Sequence, residues 1–470
     1  MASVTQAKDL DECLNILSQQ PGHRMFTPIC LAFPVNDATK FPTLIETLKE
    51  GLMTLTSAFP WLTGKVVSEG VNETNSGTYK IKPSTNSKII TVKDLREDKT
   101  FQSMEILREK GFPASMLDEV AISPLKSLSG SCEESPLEPT PVLRVQVNLV
   151  VGGLLLVIVA QHNVMDMSGQ FQIMKLFSKA CHRQPFSEDD LTFENIARGN
   201  LVPILNDDYE RGAETACPLP VVETTKAEAK PEHTQSKTSR TPDESCAWAY
   251  FNFPSSSLDS MKEEATRTLS PLVEFVSTDD ALGAFIWQAV SRARTARLNK
   301  STVSTFSRAV DVRQMFDISR QYPGLMSNNS YSSLTLDSLT NKSLGEIASE
   351  LRAGIATGTS KLYHHTRALA TLLHRAADKR TVTYNPFPSS STGIIFSSWA
   401  KFELYDLDFC LGLGKPAAVR RPRFSPVGSL MFMMPRDSNG DIAAAMCLRG
   451  DDMAAIKADE TFMRYADYIG

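Results

Sequence analysis

Of the seven histidines in the chain, one stands where an imidazole can do chemistry. His162 directly follows the apolar run Leu154–Ala160, in the segment Gln161-His162-Asn163-Val164-Met165-Asp166-Met167-Ser168-Gly169. With an ordinary pKa of ~6.5, an imidazole accepts a proton near neutral pH, so the chemistry on offer is general-base catalysis. Asp166, four residues on, either orients the imidazole or braces the loop through an arginine. The spacing alone leaves function and structure evenly matched. The position favours function, because a strand end turning into a helix is where rigid scaffolds present reactive groups.

The other six histidines read as structural. His23, His182 and His233 lie in polar or linker contexts and are expected to be solvated. His364 and His365 are adjacent, so they cannot chelate a metal together from one helix face. His374 sits in a polar helical segment. The eight cysteines (Cys13, Cys30, Cys132, Cys181, Cys217, Cys246, Cys410 and Cys447) are scattered, with no C-x-x-C pair. They are expected to be free thiols in a reducing compartment, and no metal is expected.

A second stretch begins at Ser397-Ser398-Trp399 and continues through Leu407-Asp408-Phe409-Cys410-Leu411-Gly412-Leu413-Gly414-Lys415-Pro416. Gly412 and Gly414 hint at a phosphate loop, but the G-x-x-x-x-G-K-[ST] spacing is absent and a proline follows the lysine. A supporting turn is the better reading. Arg420, Arg421 and Arg423 form the densest basic cluster, read either as a solvated basic turn or as a phosphate contact. No G-x-S-x-G elbow occurs, which argues against a covalent serine hydrolase.

The elements that must position these residues are visible as periodicities. Leu44, Leu48, Leu52 and Leu55 share a helical face that ends at Phe59-Pro60. Val142–Val150 and Leu154–Ala160 predict a hairpin around Gly152-Gly153. Phe171, Met174, Phe177 and Cys181 follow at helical spacing, with Ser168 as the expected cap. In the second half, Ser277 or Thr278 caps a helix bearing Leu282, Phe285, Ile286, Ala289, Val290 and Ala293. Leu344, Ile347, Ala348 and Leu351 mark another helix, and Ile394–Trp399 a strand. Met431–Met434 and Ile442–Leu448 predict a second hairpin around Asp437–Gly440. Strands and helices do not alternate strictly, so a mixed α/β sandwich in each half is expected rather than a doubly wound sheet.

At 470 residues, two domains are the default. The net charge of −5 gives no reason to expect nucleic-acid binding. The most apolar stretch, Leu149–Ala160, falls short of the roughly 20 residues needed to span a bilayer, and the N-terminus lacks an apolar leader core. A cytoplasmic protein is expected. Residues from about Asn195 to Ser245 shift in composition; Glu223–Ser245 is nearly free of large apolar residues and is expected to be a solvated linker. It divides the chain into an N-terminal domain (1–195), a linker (196–246) and a C-terminal domain (247–470).

The order of these pieces resembles the plant and fungal acyl-CoA-dependent acyltransferases of the BAHD family. His162–Asp166 matches that family's His-x-x-x-Asp, and Asp408-Phe409-Cys410-Leu411-Gly412 is a degenerate Asp-Phe-Gly-Trp-Gly. Phe59–Gly64, Ser277–Leu282 with Ile286-Trp287, Val310–Arg313 and Ser397–Trp399 appear in the matching order, so the resemblance spans nearly the whole chain. Within the family, Val276–Arg294, Tyr322–Asn328 and Ser397–Pro416 are similar to fungal trichothecene 3-O-acetyltransferases. Cys410 and Leu411 depart from the family's Gly-Trp, and Met167 stands where glycine is usual.

The resemblance implies two chloramphenicol-acetyltransferase-like α/β domains with mixed sheets, joined by a long crossover loop. It implies a monomer that uses acetyl-CoA as co-substrate, a small-molecule alcohol as acceptor and no metal. His162 would be the base, Asp166 a brace paired with an arginine such as Arg313, and Asp408, Phe409 and Gly412 a structural motif. Ser277, Ser398 and Trp399 would lie near CoA. A condensation-domain-like enzyme, with Gln161 in place of a first histidine, and a non-catalytic binding homologue are the alternatives.

Overall fold

The computed structural model describes residues 10–85, 88–128, 138–195, 198–199, 201–212, 246–356, 360–382 and 389–470. The expected linker Glu223–Ser245, with His233 and Cys217, lies outside the described residues, as does Cys132.

Three mixed or antiparallel sheets carry the fold. The first has five strands, in the order Ala418–Arg420, Phe26–Pro34, Gly153–Gln161, Leu143–Val150 and Ile90–Asp94. The predicted hairpin forms its centre, and Gly152 takes the left-handed φ of 77° that the turn requires. Helices Phe41–Ala58 and Met167–Cys181 cover one face. Leu44, Leu48, Leu52 and Leu55 pack there with Leu154, Leu156, Ile158 and Ala160. Leu155, Val157 and Val159 point the other way, onto Met104, Leu107 and Ile122. The Leu154–Ala160 run is apolar without alternation because both faces of this strand are buried. The two helices approach closely at Gly51, where an added Cβ would lie 2.4 Å from the Cys181 Sγ.

The second sheet has seven strands: Ser327–Thr335, Val303–Asp311, Ile394–Ser398, Leu430–Met433, Ile442–Arg449, Cys246–Phe253 and Asp467–Tyr468. Its Val303–Asp311, Ile394–Ser398 and Leu430–Met433 strands run parallel, so their C-terminal ends lie at one edge. Helices Ser255–Arg267, Thr278–Arg294 and Leu344–Ala353 pack on one face. From the other face Trp399, Phe432, Met434, Ala443 and Ala445 join the core of the first half. The two halves therefore share one apolar cluster. A third sheet of four short strands contains Glu12–Cys13, Thr78–Lys82, Lys65–Glu69 and Thr140–Pro141.

Several expectations need correction. Ala418–Arg420, from the second half, is a strand of the first half's sheet. The early part of the linker is packed: Arg198 and Val202 are buried, and Val202 joins Leu17, Val312 and Tyr322. Asp166, not Ser168, caps the helix Met167–Cys181. Arg420 and Arg421 are neither a solvated turn nor laid out for phosphate. Arg420 donates to the carbonyls of Val419 and Gly111. Arg421 lies 4.5 and 4.6 Å over the rings of Phe424 and Phe432, and Arg423 pairs with Asp118. Ser277 caps its helix, through a reciprocal box with Asp280. Among the described residues no helix is long and apolar enough to cross a membrane, and no cluster of His, Cys, Asp and Glu is suited to a metal. The six described cysteines are free thiols.

Candidate active site

The strand Gly153–Gln161 delivers His162 to the point where the two halves meet. Gln161 is in register with Phe26, and the His162 amide donates to the Met25 carbonyl at 2.7 Å. The amides of Val164 and Met165 both return to the Gln161 carbonyl, closing a tight turn. The Gln161 side chain is buried and accepts from Thr140 Oγ1 at 2.8 Å. His162 is half-buried, on backbone fixed from three directions.

Asp166 turns away from that imidazole. Its Oδ1 accepts from the Gly169 amide at 3.0 Å, and the Met326 amide donates to Oδ2 at 2.8 Å. The Arg313 guanidinium clamps both oxygens at 2.9 Å, a bidentate geometry available to arginine and not to lysine. Arg313 is fully buried and also donates to Asp311 Oδ1 and to the carbonyls of Tyr322 and Gly324. Burial disfavours its charge, but Asp166 and Asp311 outweigh burial and hold its pKa above the ordinary value. Asp311 is pushed up by burial, but Arg313 wins and lowers its pKa. Gly169 allows the closeness: a Cβ there would stand 2.0 Å from the Pro323 carbonyl oxygen.

Asp311 ties in the end of the parallel strands. It accepts from Ser168 Oγ at 3.0 Å and lies 3.7 Å from Lys401 Nζ, just beyond Ser398 and Trp399. Ser398 is half-buried. Trp399 is buried, its indole donates to Ser397 Oγ at 3.1 Å, and its ring lies 4.9 Å from that of Phe432. Arg313 and Asp311 thus tie Asp166 and Ser168, just after His162, to the strand ends next to Ser398 and Trp399. Ser277 hydrogen-bonds Asp280, which also holds Arg308 and Arg352.

Asp408, Phe409 and Gly412 sit at the far end of the helix that Asp166 begins, about 22 Å away at 1.5 Å per residue. Phe409 is fully buried against Phe33 and Phe177, and its amide donates to Ser178 Oγ. Phe409, Cys410 and Gly412 have φ of 50°, 54° and 65°, so the loop bends through left-handed backbone, and Cys410 holds a conformation better suited to glycine. Asp408 accepts from the Cys410 amide, and His182 Nε2 approaches it at 2.6 Å. Burial raises its pKa, but these partners win and keep the carboxyl below its ordinary range.

Two histidines expected to be solvated therefore have structural neighbours. His182 anchors Asp408. His23, half-buried in a single 3₁₀ turn (Pro21–His23), places its ring centroid 5.4 Å from that of His162. His23 was missed because its place depends on the pairing of Phe26–Pro34 with Gly153–Gln161, which carries residues 23–25 to His162.

A model of the trichothecene 3-O-acetyltransferase-like N-terminal domain matches residues 25–181, and a transferase-family model matches residues 118–463. The chain is 44% identical over 463 residues to the O-acetyltransferase dmxR13 of Cryptosporiopsis sp., covering 98% of each. It is 42% identical over 473 residues to trichothecene 3-O-acetyltransferase TRI101 of Fusarium sporotrichioides, covering 100% of this chain and 99% of the relative. The crystal structure of F. sporotrichioides TRI101 complexed with coenzyme A and T-2 matches with a TM-score of 0.88 at 41% identity, covering 98% of this chain and 100% of that one. The chain belongs to the BAHD-type transferase family, beside its trichothecene 3-O-acetyltransferase-like members, and is an acyltransferase.

Proposed function

We propose that the protein transfers an acetyl group from acetyl-CoA to a hydroxyl of a fungal secondary metabolite, a trichothecene-like sesquiterpenoid or another terpenoid or alkaloid alcohol. His162 removes the hydroxyl proton as the oxygen attacks the thioester carbonyl. The tetrahedral intermediate collapses, the carbon–sulfur bond breaks, and the thiolate of CoA takes the proton back from His162. Acyl transfer is direct, with no acyl-enzyme.

One observation carries this reading. The strand end holds His162 through the Met25 carbonyl, while Asp166, four residues on, is occupied by Arg313 and two backbone amides and serves as the brace of the motif. The coenzyme A and T-2 of the TRI101 structure support the co-substrate and acceptor class. Ser398 and Trp399, tied to the same seam through Asp311 and Lys401, are the residues we assign to the CoA side; Ser277 belongs there by resemblance alone. Residues 1–195 and 247–470 are read as the two acyltransferase domains of a cytoplasmic monomer, with 196–246 as the crossover.

Thiol release from acetyl-CoA in the presence of a panel of terpenoid and alkaloid alcohols tests the proposal. Replacing His162 with Ala is expected to lower turnover by about 10²–10⁴-fold. Unchanged turnover would remove His162 as the base.

A further inference from the structure

The structure puts a second imidazole beside the first and fixes it there through the main chain. The Met25 amide donates to the His23 carbonyl at 2.8 Å, and the His162 amide donates to the Met25 carbonyl at 2.7 Å. This two-step relay, backed by the register of Phe26 with Gln161, sets the spacing of the two rings, whose planes meet at 52°. Gln20 Nε2 lies 3.4 Å from His23 Nδ1, and Arg24 points elsewhere, donating to the Glu138 carbonyl.

We propose that His23 and His162 titrate as a coupled pair that holds a single proton through the mildly acidic range. His23 is then a positioning residue that sets the pH at which the base is unprotonated. This rests on the reading of His162 as the base. Two imidazolium ions at this separation repel. With an effective dielectric between ~20 and ~40, the second proton is disfavoured by about one to two pH units. Protons then leave in two macroscopic steps that belong to the pair. At the first step the pair sheds one proton and His162 becomes unprotonated in part of the population; at the second it becomes unprotonated throughout. The acid limb of activity is therefore broad, where a lone imidazole gives a one-proton limb.

Charged groups on the elements packed against the pair include Arg24; the Asp166–Arg313 clamp; Arg198, which holds Glu12 and the Val164 carbonyl; and Arg421 and Glu119, both bonded to Ser127, whose carbonyl accepts from the Phe26 amide. Burial pushes the Glu119 carboxyl above its ordinary range. Glu119→Gln is therefore the control, and it is expected to keep the two-step limb.

The test is kcat/KM against pH between about 4 and 8, combined with histidine Cε1 NMR titration of the same full-length protein, with the His162 signal assigned by loss in the His162→Ala variant. The wild type is expected to show a limb spread about one to two pH units beyond a single-proton curve, and a biphasic His162 titration. His23→Gln should collapse both to single-proton curves. His23→Lys, which keeps a charge at every pH in the range, should give a single-proton limb displaced about one unit to lower pH. A wild-type limb and His162 titration that are already single-proton, and unchanged in His23→Gln, overturn the proposal. If His23→Gln does not fold, the wild-type curves and the lysine variant decide. If His162→Ala keeps its turnover, the base reading falls, while the NMR curves still report whether the two rings are coupled.

Discussion

The helix Met167–Cys181 has a polar anchor at each end, and the two anchors are built differently. At its N-terminus Asp166 is buried, clamped by a fully buried arginine and two amides. At its C-terminus Asp408 meets His182 with side chains 40% and 34% exposed. The same helix thus ends in a low-dielectric ion pair four residues after His162 and, some 22 Å away, in a wet carboxylate–imidazole contact. Where water is excluded, a lost partner strands a charge; where water remains, it replaces the partner. Precision is concentrated at the end next to His162, the base we propose.

The largest expected effect that tests this contrast is Arg313→Met. It strands Asp166 and Asp311 and leaves the carbonyls of Tyr322 and Gly324 without their donor. Denaturant unfolding is expected to show a loss of about 3–5 kcal/mol. Asp166→Asn should lose less, because the amide oxygen can still accept from Gly169. A double variant no worse than Arg313→Met alone would locate the loss in the pair itself. Next comes Gly169→Ala, whose Cβ would press on the Pro323 carbonyl at 2.0 Å. Overpacking of this kind costs about 1–3 kcal/mol. Because Gly169 is bonded to Asp166, kcat is expected to fall with stability. A Gly169→Ala protein of wild-type stability would mean that the Tyr322–Met326 loop yields easily, against the contrast drawn here.

These residues also show where a sequence is legible. The helix faces, both hairpins and the strand-end place of His162 follow from local periodicity, which burial reads directly. The Asp166–Arg313 contact was reached through the order of motifs, although the two residues are 147 apart. His23 beside His162 depends on the register of two strands far apart in the chain, and periodicity does not fix register. His182 sits among polar neighbours in sequence, and its partner is 226 residues away. The cap went to Asp166, whose carboxylate takes the Gly169 amide, the Met326 amide and Arg313 together, while Ser168 Oγ donates to Asp311 instead. The buried Arg421 was hidden for a different reason: a cluster of three arginines reads as solvated, and nothing in the cluster shows that the rings of Phe424 and Phe432 fold over the middle of it.

The smallest effects belong to the exposed end. Asp408→Asn is expected to cost under about 1 kcal/mol at neutral pH, since the amide oxygen still accepts from Cys410 and the contact with His182 is solvated. The sign with pH is fixed. The folded-state pKa of Asp408 is depressed, so its contribution is complete above the ordinary carboxylate value of ~3.9 and is lost as pH falls through the lower folded value. Unfolding midpoints of wild type and Asp408→Asn should therefore differ slightly at pH 6 and converge below about pH 4. The neighbouring thiols offer a second reading of the same end. Burial pushes Cys181 up to about 12, and it packs beneath Gly51, whereas Cys410 is exposed on the loop. Maleimide at pH 7.5, followed by peptide mapping, should modify Cys410 and spare Cys181, because the thiolate is the reactive form. Rapid labelling of Cys181 in the folded protein would mean that the helix end opens readily. The Asp408 loop would then be a loose cover rather than an anchor, and the two ends would differ more sharply than their hydrogen bonds indicate.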